Sequence, residues 1–143
     1  LIIIDRKSRR IVGTYRMISS KFSAHFYSQG EFKLDGVLAL PGNKLELGRA
    51  CIHPDFRTGA IINLLWKGIA DYIRKTDTEY LFGCASVHTV DAVVASRLLA
   101  LLREKEVAVD ALGVEPTEKY QCRLPRVLAD EEMEKEIPGL IQS

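Results

Sequence analysis

A strand, helix, strand succession in the middle of the chain constrains the fold more than any other feature. Residues 45–52 predict a strand that ends at His53 and Pro54, since proline cannot donate to a sheet ladder. Over residues 60–75 apolar side chains recur at helical spacing and predict one buried face. Residues 79–86 are typical of a second buried strand. This order predicts an α/β fold with a parallel or mixed sheet.

The remaining segments predict a hairpin, a loop and further short elements around that unit. Residues 1–5 and 11–18 predict the hairpin, and the aromatic residues of 19–42 lack a sustained period, which favours a loop with one short helix. Asp91 can cap a helix that continues to Arg103, with four apolar side chains turned inward: Val94, Leu98, Leu101 and Leu102. Two further predictions are a last strand at 119–124 and a charged helical segment at 130–136.

Composition excludes several classes of protein. A length of 143 residues with 47% hydrophobic residues predicts one domain over 1–143. The 20 Lys and Arg residues are balanced by 19 Asp and Glu, which argues against a nucleic-acid partner. No apolar run approaches the roughly 18 residues of a transmembrane helix. The three cysteines lack metal or redox spacing, which favours a cytoplasmic location, and the start at Leu1 suggests a piece of a longer chain.

The loop before the central helix is a candidate anion site. Arg57, Thr58 and Gly59 lead into a helix predicted to begin at Ala60. Unpaired N–H groups and the helix dipole attract anions at such a terminus, so the loop predicts a phosphorylated ligand. The alternative is an ordinary turn with a solvated arginine.

This strand, turn and helix resemble the acyl-donor motif of the GNAT acyltransferase superfamily. In most members an Arg/Gln-x-x-Gly-x-Gly/Ala loop wraps the pyrophosphate of acyl-coenzyme A. Here Ala60 and Ile62 occupy the two small-residue positions, and the bulk of Ile62 argues against coenzyme A as the donor. A single phosphopantetheine arm needs less of a pyrophosphate cradle.

Four further motifs resemble one branch of that superfamily, which includes ornithine-lipid synthases, N-acyl amino acid synthases and proteins described as hemolysins. The motifs are Glu-Leu-Gly-Arg at 46–49, His-Pro-x-x-Arg at 53–57, Leu-Leu-Trp at 64–66 and Gly-Cys-Ala-Ser at 83–86. The resemblance implies a mixed, mostly antiparallel sheet flanked by helices and splayed where the donor enters. It also implies transfer of a (3-hydroxy)acyl group from acyl carrier protein to an amino-acid amine such as that of ornithine. The phosphopantetheine thioester is then a substrate, and neither a resident cofactor nor a metal is expected.

The resemblance makes Glu46 the candidate general base, with Arg49 orienting a carboxylate or pairing with Glu46. The alternatives are that Glu46 is a solvent-facing or ion-paired strand residue and that Arg49 forms a salt bridge at the sheet edge. Strict alternation places residues 46 and 49 on opposite faces of a strand. Both side chains can therefore reach one cleft only if a β-bulge intervenes, for which Gly48 is suited.

Several other residues have two interpretations. Ser86 is a candidate for holding the pantetheine amides of the donor. The residue types of a nucleophilic triad or a metal site are present in Cys84, His88 and Asp91. Cys84 is, however, more typical of a buried apolar residue. His53 is more typical of a turn residue. The aromatic side chains of the 19–42 loop can line an acyl channel or cover the sheet: Phe22, Phe26, Tyr27 and Phe32.

Alternatives to this function stay open. They are acylation of another amine, an acyl-CoA donor, and a non-catalytic or membrane-lytic protein. Lysis requires an amphipathic or spanning segment, and none is visible. The expected partners are acyl carrier protein and the acceptor, with contact at the inner face of the membrane and a homodimer across exposed strand edges as further possibilities.

Overall fold

The computed structural model describes residues 1–87, 89–105 and 110–128. His88 and the helical segment predicted at 130–136 lie outside these ranges. The chain divides into two compact units, one of Leu1–Tyr27 with Pro41–Cys84 and the other of Ser28–Leu40 with Ala85–Ser143. One domain over residues 1–143 stays a prediction.

The described residues contain the following helices and strands in chain order: β1 (Ile2–Ile4), β2 (Ile11–Ser19), β3 (Phe32–Lys33), α1 (Asp35–Ala39), β4 (Asn43–Ile52), α2 (Ala60–Thr76), β5 (Thr78–Phe82), α3 (Ala92–Lys105) and β6 (Glu115–Pro116). In the first unit the strand order is β1-β2-β4-β5. The β1–β2 and β2–β4 pairs are antiparallel, and β4–β5 is parallel. The predicted hairpin and the mixed, mostly antiparallel sheet are confirmed.

The core of the first unit lies between this sheet and α2. Its buried residues come from three elements: Tyr15, Leu45, Leu47, Leu65 and Ile69. Burial raises the pKa of the Tyr15 hydroxyl, because the charged form loses its hydration. A Cβ atom on Gly13 would lie 2.6 Å from Ile61 Cγ2, so glycine there lets the first turn of α2 pack closely on β2. This contact sets where the N-terminus of α2 lies on the sheet.

Two strand predictions are wrong in extent or in kind. β5 ends at Phe82 rather than at residue 86. At the next residue, a Cβ atom on Gly83 would lie 2.3 Å from the Leu47 carbonyl oxygen, so glycine permits the close backbone approach there. The strand predicted at 119–124 does not form. Glu118–Tyr120 is a 3-10 turn closed by a bond from the Tyr120 N–H to the Thr117 carbonyl, and the residues that follow are irregular.

In the second unit β3 pairs with β6 and α3 begins at a capped terminus. The Asp91 Oδ1 accepts hydrogen bonds from the N–H groups of Val93 at 2.7 Å and Val94 at 3.3 Å. This confirms the predicted cap. The predicted inward face is also confirmed, since Leu98 and Leu101 are buried among Val87, Val94 and Leu102.

We expect Asp91→Ala to lower the free energy of unfolding by about 1 kcal/mol, because two N–H groups of α3 lose their acceptor. Denaturant unfolding measures the change. The matched control is Glu104→Ala, an exposed acid at the other end of α3, which we expect to change stability by less than about 0.5 kcal/mol. Equal effects of the two substitutions would contradict a capping role for Asp91.

Candidate active site

The site in the first unit is built around a buried carboxylate on β4. Glu46 is 1% exposed. Its Oε1 accepts a hydrogen bond from Arg16 Nη2 at 3.1 Å, and its Oε2 accepts one from the Tyr27 N–H at 2.7 Å. A buried charge is tolerated only when it is paired and hydrogen-bonded, and Arg16 and Tyr27 meet both conditions. The carboxylate is therefore held in one position by donors on both oxygens.

Arg16 reaches Glu46 by crossing Gly48. It lies on β2 directly opposite Gly48, and a Cβ atom at Gly48 would lie 2.7 Å from Arg16 Nη2. Glycine at this position thus leaves the space that the guanidinium occupies. The Nε of Arg16 is buried without a hydrogen-bond partner among the described residues.

A β-bulge follows at once on β4. Thr14 pairs with Cys51 and Arg16 with Gly48, so Arg49 and Ala50 together face Tyr15 on β2. Two residues opposite one define a bulge. The predicted bulge is confirmed, but the residue in the left-handed conformation is Arg49, with φ of 54°, and not Gly48.

The bulge brings Arg49 to the same aromatic ring as Arg16. The Cζ atoms of Arg16 and Arg49 lie 4.2 and 5.6 Å from the centroid of the Tyr27 ring, within cation–π range. Glu46, Arg16, Tyr27 and Arg49 thus form one cluster, here called the carboxylate–arginine cluster. In this cluster Glu46 forms an ion pair with Arg16, whereas Arg49 contacts the Tyr27 ring.

The sequence analysis assigned no role to Arg16, and it predicted Tyr27 only to line an acyl channel or cover the sheet. Arg16 lies in the strand predicted at 11–18, but its partner depends on the register between β2 and β4, which the bulge shifts by one residue. Of the loop aromatics in this unit, Phe26 packs edge-on against Phe82 at 5.0 Å and covers the sheet, while Phe22 is 78% exposed.

The predicted phosphate loop has the geometry of an open helix terminus. Gly59 is the N-cap of α2 with φ of 85°, supplies no side-chain cap, and has open space beyond its Cα. Arg57 donates from Nε to the Ile52 carbonyl at 3.2 Å, which holds the guanidinium at the end of β4. Ile62 is half-buried against the core cluster, so its bulk is directed in part toward the sheet and is a weaker argument against a pyrophosphate than predicted.

The turn before this loop is organised by His53. Its Nδ1 accepts a hydrogen bond from the Asp55 N–H at 3.3 Å, and its Nε2 contacts the Arg10 guanidinium. These contacts place His53 in a turn, as its position before Pro54 predicts.

The nucleophile and metal interpretations gain no geometric support. Cys84 is exposed, so the expectation that it is buried is wrong. Asp91 caps α3. Ser86 is exposed in the second unit, and its role in holding the pantetheine amides stays a prediction. Within residues 1–87, 89–105 and 110–128, no group of three or more His, Cys, Asp or Glu side chains is placed to hold a metal ion. None of the helices in those ranges is long and apolar enough to span a membrane.

Part of the chain matches a known protein family. The first 67 residues, which include β1, β2, β4 and the first turns of α2, match the acetyltransferase (GNAT) domain. This match agrees with the predicted resemblance to GNAT acyltransferases over that part of the chain. No solved structure shows a significant match to the chain.

Several curated proteins named L-ornithine N(alpha)-acyltransferase are similar to this chain. The protein of Rhodobacter capsulatus is 39% identical over 106 residues, which cover 72% of this chain and 41% of that protein. Those of Brucella abortus and Agrobacterium fabrum are 38% and 33% identical, covering 65% and 76% of this chain but 34% and 40% of those proteins. The similarity agrees with the predicted N-acyltransferase branch. The chain spans about two fifths or less of these relatives.

Proposed function

We propose that the protein is an N-acyltransferase that moves a (3-hydroxy)acyl group from acyl carrier protein to the amine of an amino acid of the ornithine type. The observation that carries the proposal is the carboxylate–arginine cluster, a fixed buried carboxylate three residues before an exposed arginine. The names of the relatives support ornithine as the acceptor. The family resemblance supports the carrier-protein donor. This donor agrees with Ile62, a bulky residue at the position where most GNAT members have their second small residue.

The reaction is an amide-forming substitution at a thioester. The acceptor ammonium loses a proton, the amine nitrogen bonds to the thioester carbonyl carbon, and the C–S bond breaks to release the phosphopantetheine thiol. The products are the N-acyl amino acid, the free thiol and one proton. Glu46 is the proposed acceptor of that proton, either directly or through one water. Because both of its oxygens already hold donors, the bound amine joins or displaces one of them.

The donor phosphate is proposed to bind at Arg57, Thr58, Gly59 and Ala60. The first turn of α2, which follows this loop, contains no acidic side chain that would compete for the helix N–H groups. The helix dipole and a guanidinium at the same place both favour an anion. On the other side of the site, β5 pairs with β4 only as far as Glu46. Gly83 still lies against the Leu47 carbonyl, so the pantetheine arm is proposed to run along β4 beyond Leu47, where no β5 residue pairs with it.

The phosphate site predicts a specific loss in Arg57→Met. With wild-type protein we expect acyl-phosphopantetheine to have a KM about tenfold below that of acyl-pantetheine, which has the same thioester and no phosphate. Arg57→Met should remove most of this difference and leave kcat almost unchanged. Arg74→Met, an exposed arginine in the last turn of α2, is the control and should keep the difference. A difference that survives Arg57→Met would place the phosphate elsewhere.

Thiol release tests the proposed function itself. The assay uses the full-length natural protein with ornithine and, in turn, 3-hydroxyacyl carrier protein and acyl-CoA. Ornithine-dependent release of thiol from the carrier protein is the expected result. If thiol is released from acyl-CoA alone, the donor is acyl-CoA and not acyl carrier protein. No ornithine-dependent release from either donor would refute the function and favour a non-catalytic role.

A further inference from the structure

Arg49 holds a backbone conformation that is unfavourable for any residue with a side chain. Its φ of 54° lies in the left-handed region, where glycine is the favoured residue. A neighbouring glycine is available at residue 48, yet the chain places arginine at the strained position. β-Bulges often redirect a side chain near an active site, and this one turns Arg49 toward the Tyr27 ring. The bulge therefore strains the backbone and places a guanidinium beside the Tyr27 ring.

The charges of the carboxylate–arginine cluster do not cancel. The Arg16 guanidinium is paired with Glu46 and only 28% of its side-chain surface is exposed. Arg49 is exposed, and none of the ion pairs within the described part of the chain includes it. Two guanidinium groups and one carboxylate leave one uncompensated positive charge. That charge lies beside an aromatic ring and is accessible from solvent.

We propose that Arg49 binds the α-carboxylate of the acceptor and thereby determines which amine is acylated. A guanidinium recognises a carboxylate through two parallel N–H bonds, which fixes orientation as well as position. The α-amine is one carbon from that carboxylate, whereas a side-chain amine such as the δ-amine of ornithine is much farther away. Holding the carboxylate at Arg49 therefore selects amino acids over simple amines, and the α-amine over the δ-amine. This inference rests on the proposed function.

The test compares ornithine with 1,4-diaminobutane, which has the same carbon chain with both amines and no carboxylate. For the full-length wild-type protein we expect kcat/KM for ornithine to exceed that for the diamine by roughly 10- to 100-fold. In Arg49→Gly the ratio should fall to nearly one, and mass spectrometry should detect Nδ-acylated ornithine beside the Nα product. The melting temperature of Arg49→Gly should equal or exceed that of wild type, because glycine relieves the strained backbone.

Arg9→Gly is the matched control. Arg9 is also exposed and also left-handed, with φ of 58°, in the turn between β1 and β2. It should show the same thermal behaviour as Arg49→Gly and keep the wild-type preference for ornithine. Arg49→Asn, which removes the charge while tolerating the left-handed backbone, provides a second variant if Arg49→Gly melts far below wild type.

The outcomes separate the inference from the function on which it rests. An unchanged ornithine preference in Arg49→Gly, or in Arg49→Asn if that is the folded variant, would overturn the carboxylate role. A wild-type protein that acylates both amines equally would also overturn it, with acyl transfer intact. If wild type acylates neither amine with any donor, the proposed function fails, and the inference with it.

Discussion

Glu46→Gln is expected to lower kcat by 10²- to 10⁴-fold, the range that a positioned general base contributes. Glutamine has the same shape and can still accept the hydrogen bond from the Tyr27 N–H, but it cannot take a proton from the acceptor ammonium. The KM for the acyl donor should change little, because the proposed phosphate loop lies at the other end of β4. Steady-state kinetics with the full-length protein measures both quantities.

The pH profile distinguishes a base from a residue that only positions Arg16. Without a base on the protein, Glu46→Gln depends on acceptor amine that is already deprotonated in solution, so its activity should rise more steeply with pH than that of wild type. A purely structural role would lower the whole profile and preserve its shape. Glu79→Gln, an exposed carboxylate on the neighbouring strand β5, is the control and should keep both height and shape. Activity within about threefold of wild type in Glu46→Gln would exclude the base.

Arg16→Met is expected to destabilise the protein by about 3 kcal/mol, the lower end of the range for breaking a buried ion pair. The reason is Glu46, which is 1% exposed and would lose its cation without gaining water. The lower end applies because Arg16 is 28% exposed, so the pair is not fully removed from solvent in the wild-type fold. Denaturant unfolding of the variant and the wild type gives the difference.

Two further variants locate the cause of that loss. Lys21→Met breaks the solvent-exposed Lys21–Asp77 pair, whose atoms are 3.5 Å apart, and should cost less than about 1 kcal/mol. The double variant Arg16→Met with Glu46→Leu removes both charges and should recover most of the stability, since an apolar pair needs no counter-charge. An Arg16→Met effect no larger than that of Lys21→Met would show that Glu46 does not depend on this partner.

The elements of the fold that were predicted from sequence are those that local patterns determine. The apolar spacing of residues 60–75 identified α2, which ends one residue later at Thr76, and Pro54 marked the end of β4. The β-bulge was also predictable, because Glu46 and Arg49 cannot share a cleft on a regular strand. The strand predicted at 119–124 failed because its backbone groups are satisfied within a 3-10 turn, which residue types alone do not indicate.

The contacts of the candidate site were less predictable, because they depend on the register between strands. Which β2 residue faces Gly48 changes with a shift of one residue, and the bulge introduces that shift. The partner of Glu46 therefore became evident only in three dimensions. Gly48 was predicted for its backbone freedom, whereas the structure uses its missing side chain to admit Arg16.

The most direct test of acyl transfer to an amino acid is the mass of the product. The full-length protein is incubated with 3-hydroxyacyl carrier protein and a mixture of amino acids, beside its Glu46→Gln variant. We predict one new species, heavier than ornithine by a single acyl group, that the variant forms at least 10²-fold more slowly. If the folded wild-type protein forms no acylated amino acid, or if the variant forms it as fast, the assignment of acyl transfer to Glu46 is contradicted.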